Sequence, residues 1–117
     1  MTYKIIRIPA GGLDPDRQPE IVEMDRLELS DMQKLVGGYI EHMTLDRQID
    51  LWFNEEGRLT GLPPNRLFTR FDGMEFDILG DAFITSSSGE GETIGLTDEQ
   101  AEAWLAKVNE LPIGLMV

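Results

Sequence analysis

The feature that most constrains the fold is residues 33–66, where the sequence changes character several times within 34 residues. A short helical segment reaches the glycine pair at 37–38, and two apolar segments follow it. Residues 54–57 (NEEG) have the composition of a tight turn, and residues 63–66 (PPNR) make a second break. Glycine interrupts regular structure through excess backbone freedom, whereas proline does so by lacking an N–H and fixing φ. The stretch therefore predicts a short helix, two strands and tight turns.

Two strands are predicted before this stretch. Residues 3–8 (YKIIRI) are rich in β-forming side chains and end at Pro9, and residues 20–24 (EIVEM) form a second short run. Residues 10–19 between them contain two glycines and two prolines, so we expect a loop there. The two runs are predicted to pair antiparallel across this loop.

The helix of the central stretch is predicted to begin with Ser30 as its N-cap. Ser30 and Gln33 have the spacing of a capping box, in which each side chain accepts the backbone N–H of the other residue. Gly37 is expected to end the helix, because glycine adopts the left-handed closing conformation at little cost. Residues 39–43 are then predicted to form a strand and residues 44–48 a polar connection.

Residues 49–53 (IDLWF) and 58–62 (RLTGL) flank the NEEG turn and predict a β-hairpin closed by a type I turn with a glycine bulge. Both faces of the first of these strands carry large apolar side chains, which is typical of a central strand. Beyond the prolines, residues 65–71 are predicted to form a short helical turn capped by Asn65.

The last third of the chain predicts one interrupted strand region and one helix. Residues 76–85 read as strand with a break at Gly80-Asp81, and residues 86–91 read as a polar loop. Thr97 and Gln100 form a second capping box ahead of an apolar stripe at helical spacing, Ala101, Trp104, Leu105 and Val108. We expect this amphipathic helix to pack on the sheet, and the apolar tail at residues 112–117 to dock on the sheet or on a second subunit, giving a homodimer.

This order predicts a single α+β domain over residues 1–117, with a mostly antiparallel sheet, a short helix after the second strand and a C-terminal amphipathic helix on the sheet. The loop at 10–19 and the tail at 112–117 are the segments expected to move or to contact a partner. No run of apolar residues is long enough to span a membrane, and the N-terminus lacks a signal-peptide pattern. We therefore expect a cytoplasmic protein without a membrane partner.

Charge is distributed unevenly along the chain. Residues 1–71 hold twelve acids and nine bases, a net charge of −3, whereas residues 72–117 hold ten acids and one base, Lys107, a net charge of −9. Such a field repels nucleic acid and attracts basic proteins, although solubility alone also explains it. Direct nucleic-acid binding is therefore not expected. The candidate surface for a basic partner consists of Asp72, Glu75, Asp77, Glu90, Glu92, Glu99 and Glu102.

The residues that commonly carry catalysis or metals do not form a recognisable constellation. There is no cysteine, and His42 is the one histidine, so a serine relay or a multi-histidine metal site is not predicted. The pair Glu55-Glu56 lies in a turn, where adjacent carboxylates usually diverge instead of facing each other across a substrate. Asp72, Glu75 and Asp77 lack the spacing of a calcium loop. We predict no enzymatic activity, no cofactor and no metal.

Three arginines near the PPNR corner, Arg58, Arg66 and Arg70, leave two readings open. They either pair with neighbouring acids such as Glu55, Glu56 and Asp72, or they help to bind an anion. Asn65 and Arg66 suit the second reading, because an arginine fork beside a helix N-terminus recognises phosphate or carboxylate.

The order VGGYIE, LWFNEEGRLTGLPPNR and ILGDAFI resembles the bacterial and phage domain-of-unknown-function 3846 family over roughly residues 3–105. The resemblance rests on a Gly-Gly-x-Ile-Glu step, an NEEG turn, a Pro-x-Asn-Arg corner and a Gly-Asp strand. It implies a small accessory protein, often encoded by phage, with no established reaction. Carried onto this chain, it indicates Gly37, Gly38, Glu41, Asn54, Glu55, Gly57, Asn65, Arg66, Gly80 and Asp81.

Two functions from different classes follow from these patterns. The first is a noncatalytic acidic accessory protein of phage or mobile-element origin that binds and inhibits a host protein, including as a mimic of nucleic-acid charge. The alternative is a protein that binds or sequesters a small anionic ligand, a nucleotide or sugar phosphate. The candidate ligand residues are Glu41, Asn54, Glu55, Asn65, Arg66 and Asp81. The two differ in whether these side chains converge on one site.

Overall fold

The computed structural model describes residues 2–10, 15–57, 59–63, 65, 70–71, 74–75 and 78–110. The first elements are β1 (Tyr3–Ile8), β2 (Glu20–Met24), α1 (Leu29–Val36), β3 (Ile40–Asp46) and β4 (Ile49–Asn54). They are followed by β5 (Arg70–Phe71), β6 (Met74–Glu75), β7 (Ala82–Ser87), β8 (Thr93–Ile94) and α2 (Asp98–Asn109). The chain is a small α+β domain, as the sequence predicts.

Six strands form one antiparallel sheet in the order β2-β1-β7-β4-β3, with β8 added beside β7. The predicted pairing of β1 with β2 is confirmed, with Ile5 opposite Val22. The central strand β7 pairs with both β1 and β4, so that Ile84 lies opposite Ile6 on one side and Leu51 on the other. A separate two-stranded ribbon joins β5 and β6.

The two helices cover opposite faces of the sheet. Ile6, Ile8, Leu51 and Ile84 point to the face on which α2 lies, where they pack with Ala101, Trp104 and Val108. Ile5 and Phe83 point to the other face and pack with Met32 and Val36 of α1. Side chains alternate between faces along a strand, so a central strand with both faces covered is buried throughout. Residues 82–86 of β7 are accordingly all buried.

The start of α2 confirms the prediction made from its capping box. The Thr97 hydroxyl accepts the backbone N–H of Gln100, and the Gln100 side chain accepts the backbone N–H of Thr97, at 3.0 and 2.9 Å. The predicted apolar stripe is also confirmed, because Ala101, Trp104 and Val108 are buried. The expected docking of residues 112–117 lies outside the described residues.

The predicted start of α1 is wrong by two residues. The N-cap is Glu28, whose backbone N–H donates to the carboxylate of Asp31 at 2.9 Å. Arg26 donates two hydrogen bonds of 3.0 Å to the same carboxylate, which holds Asp31 in position to accept the N–H of Glu28. Ser30 therefore lies inside the helix. Gly37 ends it with φ of 78°, as predicted.

The predicted hairpin between residues 49–53 and 58–62 is also wrong. β4 pairs instead with β3, and the residues expected to connect these strands extend β3 to Asp46, leaving only Arg47 and Gln48 as the turn. Both edges of β4 are thus occupied, by β3 and by β7. Residues 59–61 form a turn, in which the N–H of Thr60 donates to the carbonyl of Glu56.

The segment from residue 65 to residue 81 is only partly described. Residues 66–69 lie outside the described residues, and Arg70 and Phe71 form β5, so the predicted helical turn does not reach residue 71. The predicted break at Gly80-Asp81 is confirmed, because Gly80 has φ of 85° and β7 begins at Ala82. None of the described helices is long and apolar enough to cross a membrane.

Candidate functional site

Asn54, the last residue of β4, is an internal bridge. Its side-chain Nδ2 donates to the carbonyl of Val36 at the end of α1, at 3.1 Å, and its Oδ1 accepts the backbone N–H of Glu56 at 2.7 Å. A side chain on Gly38 would place its Cβ 2.8 Å from that Nδ2, which explains the glycine there. Asn54 is 8% exposed and joins the helix, the strand and the turn.

A cleft of about 340 Å³ opens beside Asn54. Glu41 lies opposite Phe53 in the pairing of β3 with β4, and the chain turns just after β4, so Glu55 and Glu56 approach the same place. The remaining lining is mostly apolar. The described residues that line the cleft are Glu41, Phe53, Asn54, Glu55, Glu56, Gly57, Leu59 and Leu79.

The cleft combines an apolar wall with acidic side chains. Glu41, Glu55 and Glu56 are exposed, and within the described part of the chain no hydrogen bond or ion pair engages their carboxylates. Leu59 lines the cleft and is 84% exposed, so its apolar surface is open to a ligand. Carboxylates beside apolar surface suit a cationic group on an alkyl stem, such as the side chain of lysine or arginine.

Asn65 and Asp81 lie at a different corner and line neither wall of this cleft. Asn65 Nδ2 donates to the carbonyls of Ile8 and Gly80, both at 2.8 Å, and the residue is 1% exposed. Asp81 Oδ1 accepts the backbone N–H of Ala10 at 2.9 Å. Together they fasten the end of β1 to the chain entering β7.

The candidate ligand set therefore divides in two. Glu41, Asn54 and Glu55 converge on the cleft, whereas Asn65 and Asp81 make internal contacts at the other corner. Arg66, which the anion-binding reading requires, lies outside the described residues, so that part of the prediction stays untested.

The candidate partner surface is only partly described. Glu99 and Glu102 are exposed on α2, and Glu90 and Glu92 are exposed in the turn before β8. Asp72, Asp77 and the side chain of Glu75 lie outside the described residues. The Asp98 carboxylate accepts a hydrogen bond from Lys4 and raises the pKa of that lysine; Glu23 and Glu102 add to the effect.

His42 and Trp52 form an aromatic pair on the face that α1 covers. Their ring centroids are 4.6 Å apart, and Trp52 stacks on Phe83 at 6.1 Å. Trp52 Nε1 donates to the hydroxyl of Thr85 at 2.9 Å. His42 thus takes part in side-chain packing. Within the part of the chain that the structure describes, no group of three or more His, Asp or Glu side chains is arranged to hold a metal ion.

Sequence reasoning missed two contributors to the cleft. The sequence suggests Glu56 as half of a carboxylate pair with Glu55 or as an ion-pair partner of the nearby arginines, and it places Leu59 in a strand that does not form. The turn composition of residues 54–57 is the signal for Glu56, because turn residues usually lie at the surface. Glu41 is thirteen residues before Asn54 and is grouped with it only through the family resemblance; the structure brings both to the same cleft.

The comparisons with known proteins give a family and no activity. A model of the family described as "Domain of unknown function (DUF3846)" matches residues 12–109. No curated protein and no solved structure matches the chain. The match spans most of the chain, including the cleft, Asn54, Asn65 and α2, so this protein belongs to the DUF3846 family.

Proposed function

We propose that this protein is a noncatalytic accessory protein that binds a basic segment of a partner protein in the cleft formed by Glu41, Glu55, Glu56 and Leu59. The observation that carries the proposal is the convergence of three exposed glutamates on one concave, partly apolar surface. A guanidinium can form paired hydrogen bonds with a carboxylate, and its methylene stem can pack on Leu59 and Phe53.

The charge of the surrounding surface supports this choice of partner. Glu41 points to the same face of the sheet as α2, because its partner Phe53 packs against the core cluster that contains Trp104. Asp98, Glu99, Glu102 and Glu110 are exposed on or beside that helix. Acidic groups on one side of a molecule raise the association rate of a basic protein, and salt screens the effect.

The absence of catalysis is part of the proposal. Carboxylates that act as general acids usually lie in apolar surroundings or share a proton with a close neighbour. Glu41, Glu55 and Glu56 are all exposed to water. Their arrangement favours recognition of charge over proton transfer.

A defined probe tests the proposal: a short acetylated peptide that alternates arginine and leucine, titrated by calorimetry at low and at severalfold higher salt. We expect saturable binding that weakens as salt is added. Changing Glu41, Glu55 and Glu56 together to glutamine should lower the affinity roughly tenfold, which corresponds to about 1.4 kcal/mol. A peptide with norleucine in place of arginine should not bind.

The matched control is the variant in which Glu99, Glu102 and Glu110 are changed to glutamine, which removes the same charge from the α2 side. We expect it to slow association and to leave the dissociation rate unchanged, because distant charges steer encounter. Equal loss of affinity in both variants would mean that total charge, not the cleft, recognises the peptide.

The proposal extends to inhibition and to a phage or mobile-element origin. A partner that binds nucleic acid uses arginines that the glutamates of the cleft can occupy, so bound partner would be unavailable to DNA. Competition between this protein and duplex DNA for an isolated partner tests the inhibitory form. A partner that holds both at once would contradict it.

A further inference from the structure

A second cleft, of about 240 Å³, lies between α1 and the first two strands, away from the acid-rimmed cleft. Its lining is chemically different from that of the first. The residues are Arg7, Met24, Asp31, Lys34, Leu35 and Asp81, which supply two bases, two acids and two apolar side chains. The lining carries no net charge, so its character depends on which of these groups are already paired.

Both acids of this cleft are occupied by the protein itself. Asp31 accepts two hydrogen bonds of 3.0 Å from Arg26 and one of 2.9 Å from the backbone of Glu28. Asp81 accepts the backbone N–H of Ala10 and a weaker contact from Arg17 at 3.4 Å. These carboxylates have little capacity left for a cationic ligand.

Both bases, in contrast, have unused donors. Among the described residues, Lys34 forms neither an ion pair nor a hydrogen bond. Within the described ranges, the ion pairs of Arg7 are 3.5 Å long to Asp81 and 4.0 Å long to Glu20, which exceeds the usual length of a charged hydrogen bond. A guanidinium carries five N–H donors in a planar fork, so Arg7 can donate to a ligand in addition to these two long contacts.

We propose that this cleft binds a small organic anion, with its charged head between Arg7 and Lys34 and its apolar part against Met24 and Leu35. Arginine forms a fork on carboxylate or phosphate, and lysine adds a mobile point charge. The net charge of −12 disfavours general anion adsorption, so an anion that binds must be held by local cations. The site uses none of the residues of the acid-rimmed cleft, and the proposal does not rest on the proposed function.

The test is a titration of the full chain with phenyl phosphate, benzoate and benzyl alcohol, followed through the methyl resonance of Met24. We expect saturable shifts with at least one of the two anions and none with the alcohol. The better anion identifies the head group as phosphate or carboxylate. No saturable shift with either anion, or an equal shift with benzyl alcohol, would overturn the proposal.

Lys34→Ala supplies the decisive variant, because Lys34 is exposed and, among the described residues, its ammonium makes no hydrogen bond; its charge acts on Asp31, which Arg26 still holds. We expect it to weaken anion binding about tenfold, and Arg7→Lys to weaken it less. Arg47→Ala is the matched control, since it removes one positive charge at the turn between β3 and β4. If Lys34→Ala and Arg47→Ala weaken binding equally, general charge and not this cleft holds the anion.

Discussion

The two buried asparagines show how one residue type serves two different surroundings. Asn65 is 1% exposed and gives both protons of its amide to carbonyl groups of the protein, those of Ile8 and Gly80. Asn54 is 8% exposed; it gives one proton to Val36, accepts one from Glu56, and borders the acid-rimmed cleft. The Asn65 corner is thus closed to solvent around its amide, whereas the Asn54 corner borders a cleft lined by glutamates.

The two corners differ in what the acidic side chains beside each asparagine contact. At the Asn65 corner, Asp81 turns inward to the backbone of Ala10 and to two arginines. At the Asn54 corner, Glu55 and Glu56 point to water. The buried asparagine thus stabilises the fold at both corners. At the Asn54 corner, the exposed glutamates beside it are the groups that can bind a ligand.

The largest expected effect is that of Asn65→Asp, which keeps the shape of the side chain. A carboxylate would face two carbonyl oxygens that now receive N–H donors, and a buried group left without its hydrogen bonds costs about 1–3 kcal/mol, more if charged. We expect a loss of about 3 kcal/mol or more in the free energy of unfolding, measured by urea denaturation. Asn109→Asp, at an exposed site, should change it by less than about 0.5 kcal/mol. A loss at Asn65 no larger than that of the control would mean that the corner is not closed.

Asn54→Asp should destabilise the protein less than Asn65→Asp. The carboxylate still accepts the N–H of Glu56, whereas the contact with the Val36 carbonyl becomes repulsive and the exposed glutamates of the cleft add a weaker repulsion. We expect a loss of about 2 kcal/mol in the same urea experiment. An equal or larger loss than at Asn65 would reverse the contrast between the closed and the open corner.

The sequence predicted those parts of the fold that depend on local chemistry. Thr97 and Gln100 are three residues apart and cap α2 as expected, because both groups belong to one turn. Ser30 had the same spacing with Gln33, yet Arg26 and Asp31 place the start of α1 at Leu29. The sequence thus contains two possible starts for this helix, and the contact between Arg26 and Asp31 favours the earlier one.

The parts that depend on contacts between distant segments could not be predicted in the same way. Residues 58–62 have the composition of a strand, but β4 already has neighbours on both sides, and that depends on β7, some thirty residues later. The resemblance indicated Asn54, Asn65 and Asp81 without indicating that each bonds to backbone groups of the protein. Nor does the sequence show that Arg7 and Lys34 line one cleft.

The glutamates of the open corner should affect stability far less than its asparagine. Changing Glu41, Glu55 and Glu56 together to glutamine removes no described hydrogen bond or ion pair of their side chains. Relief of repulsion between three carboxylates favours the variant slightly, so we expect unfolding free energy to stay within about 0.5 kcal/mol of the parent. Circular dichroism melts measure this. A clear destabilisation would assign these glutamates a structural role and weaken their assignment as a binding surface.

Low pH separates these corners from the start of α1, because the asparagine amides do not titrate whereas the Asp31 carboxyl group does. Hydrogen bonds from Arg26, and then from the backbone of Glu28, lower the pKa of Asp31 from 3.8 to about 2. A carboxyl group with a lowered folded-state pKa stabilises the protein above its unfolded pKa, and this stabilisation is lost as the pH falls from about 4 to about 2. Asp31→Asn should therefore flatten the pH dependence of urea unfolding in that window, by a small amount because the site is at the surface. If the variant and the parent lose stability in parallel between these pH values, the link between Arg26, Asp31 and the start of α1 contributes nothing to folding.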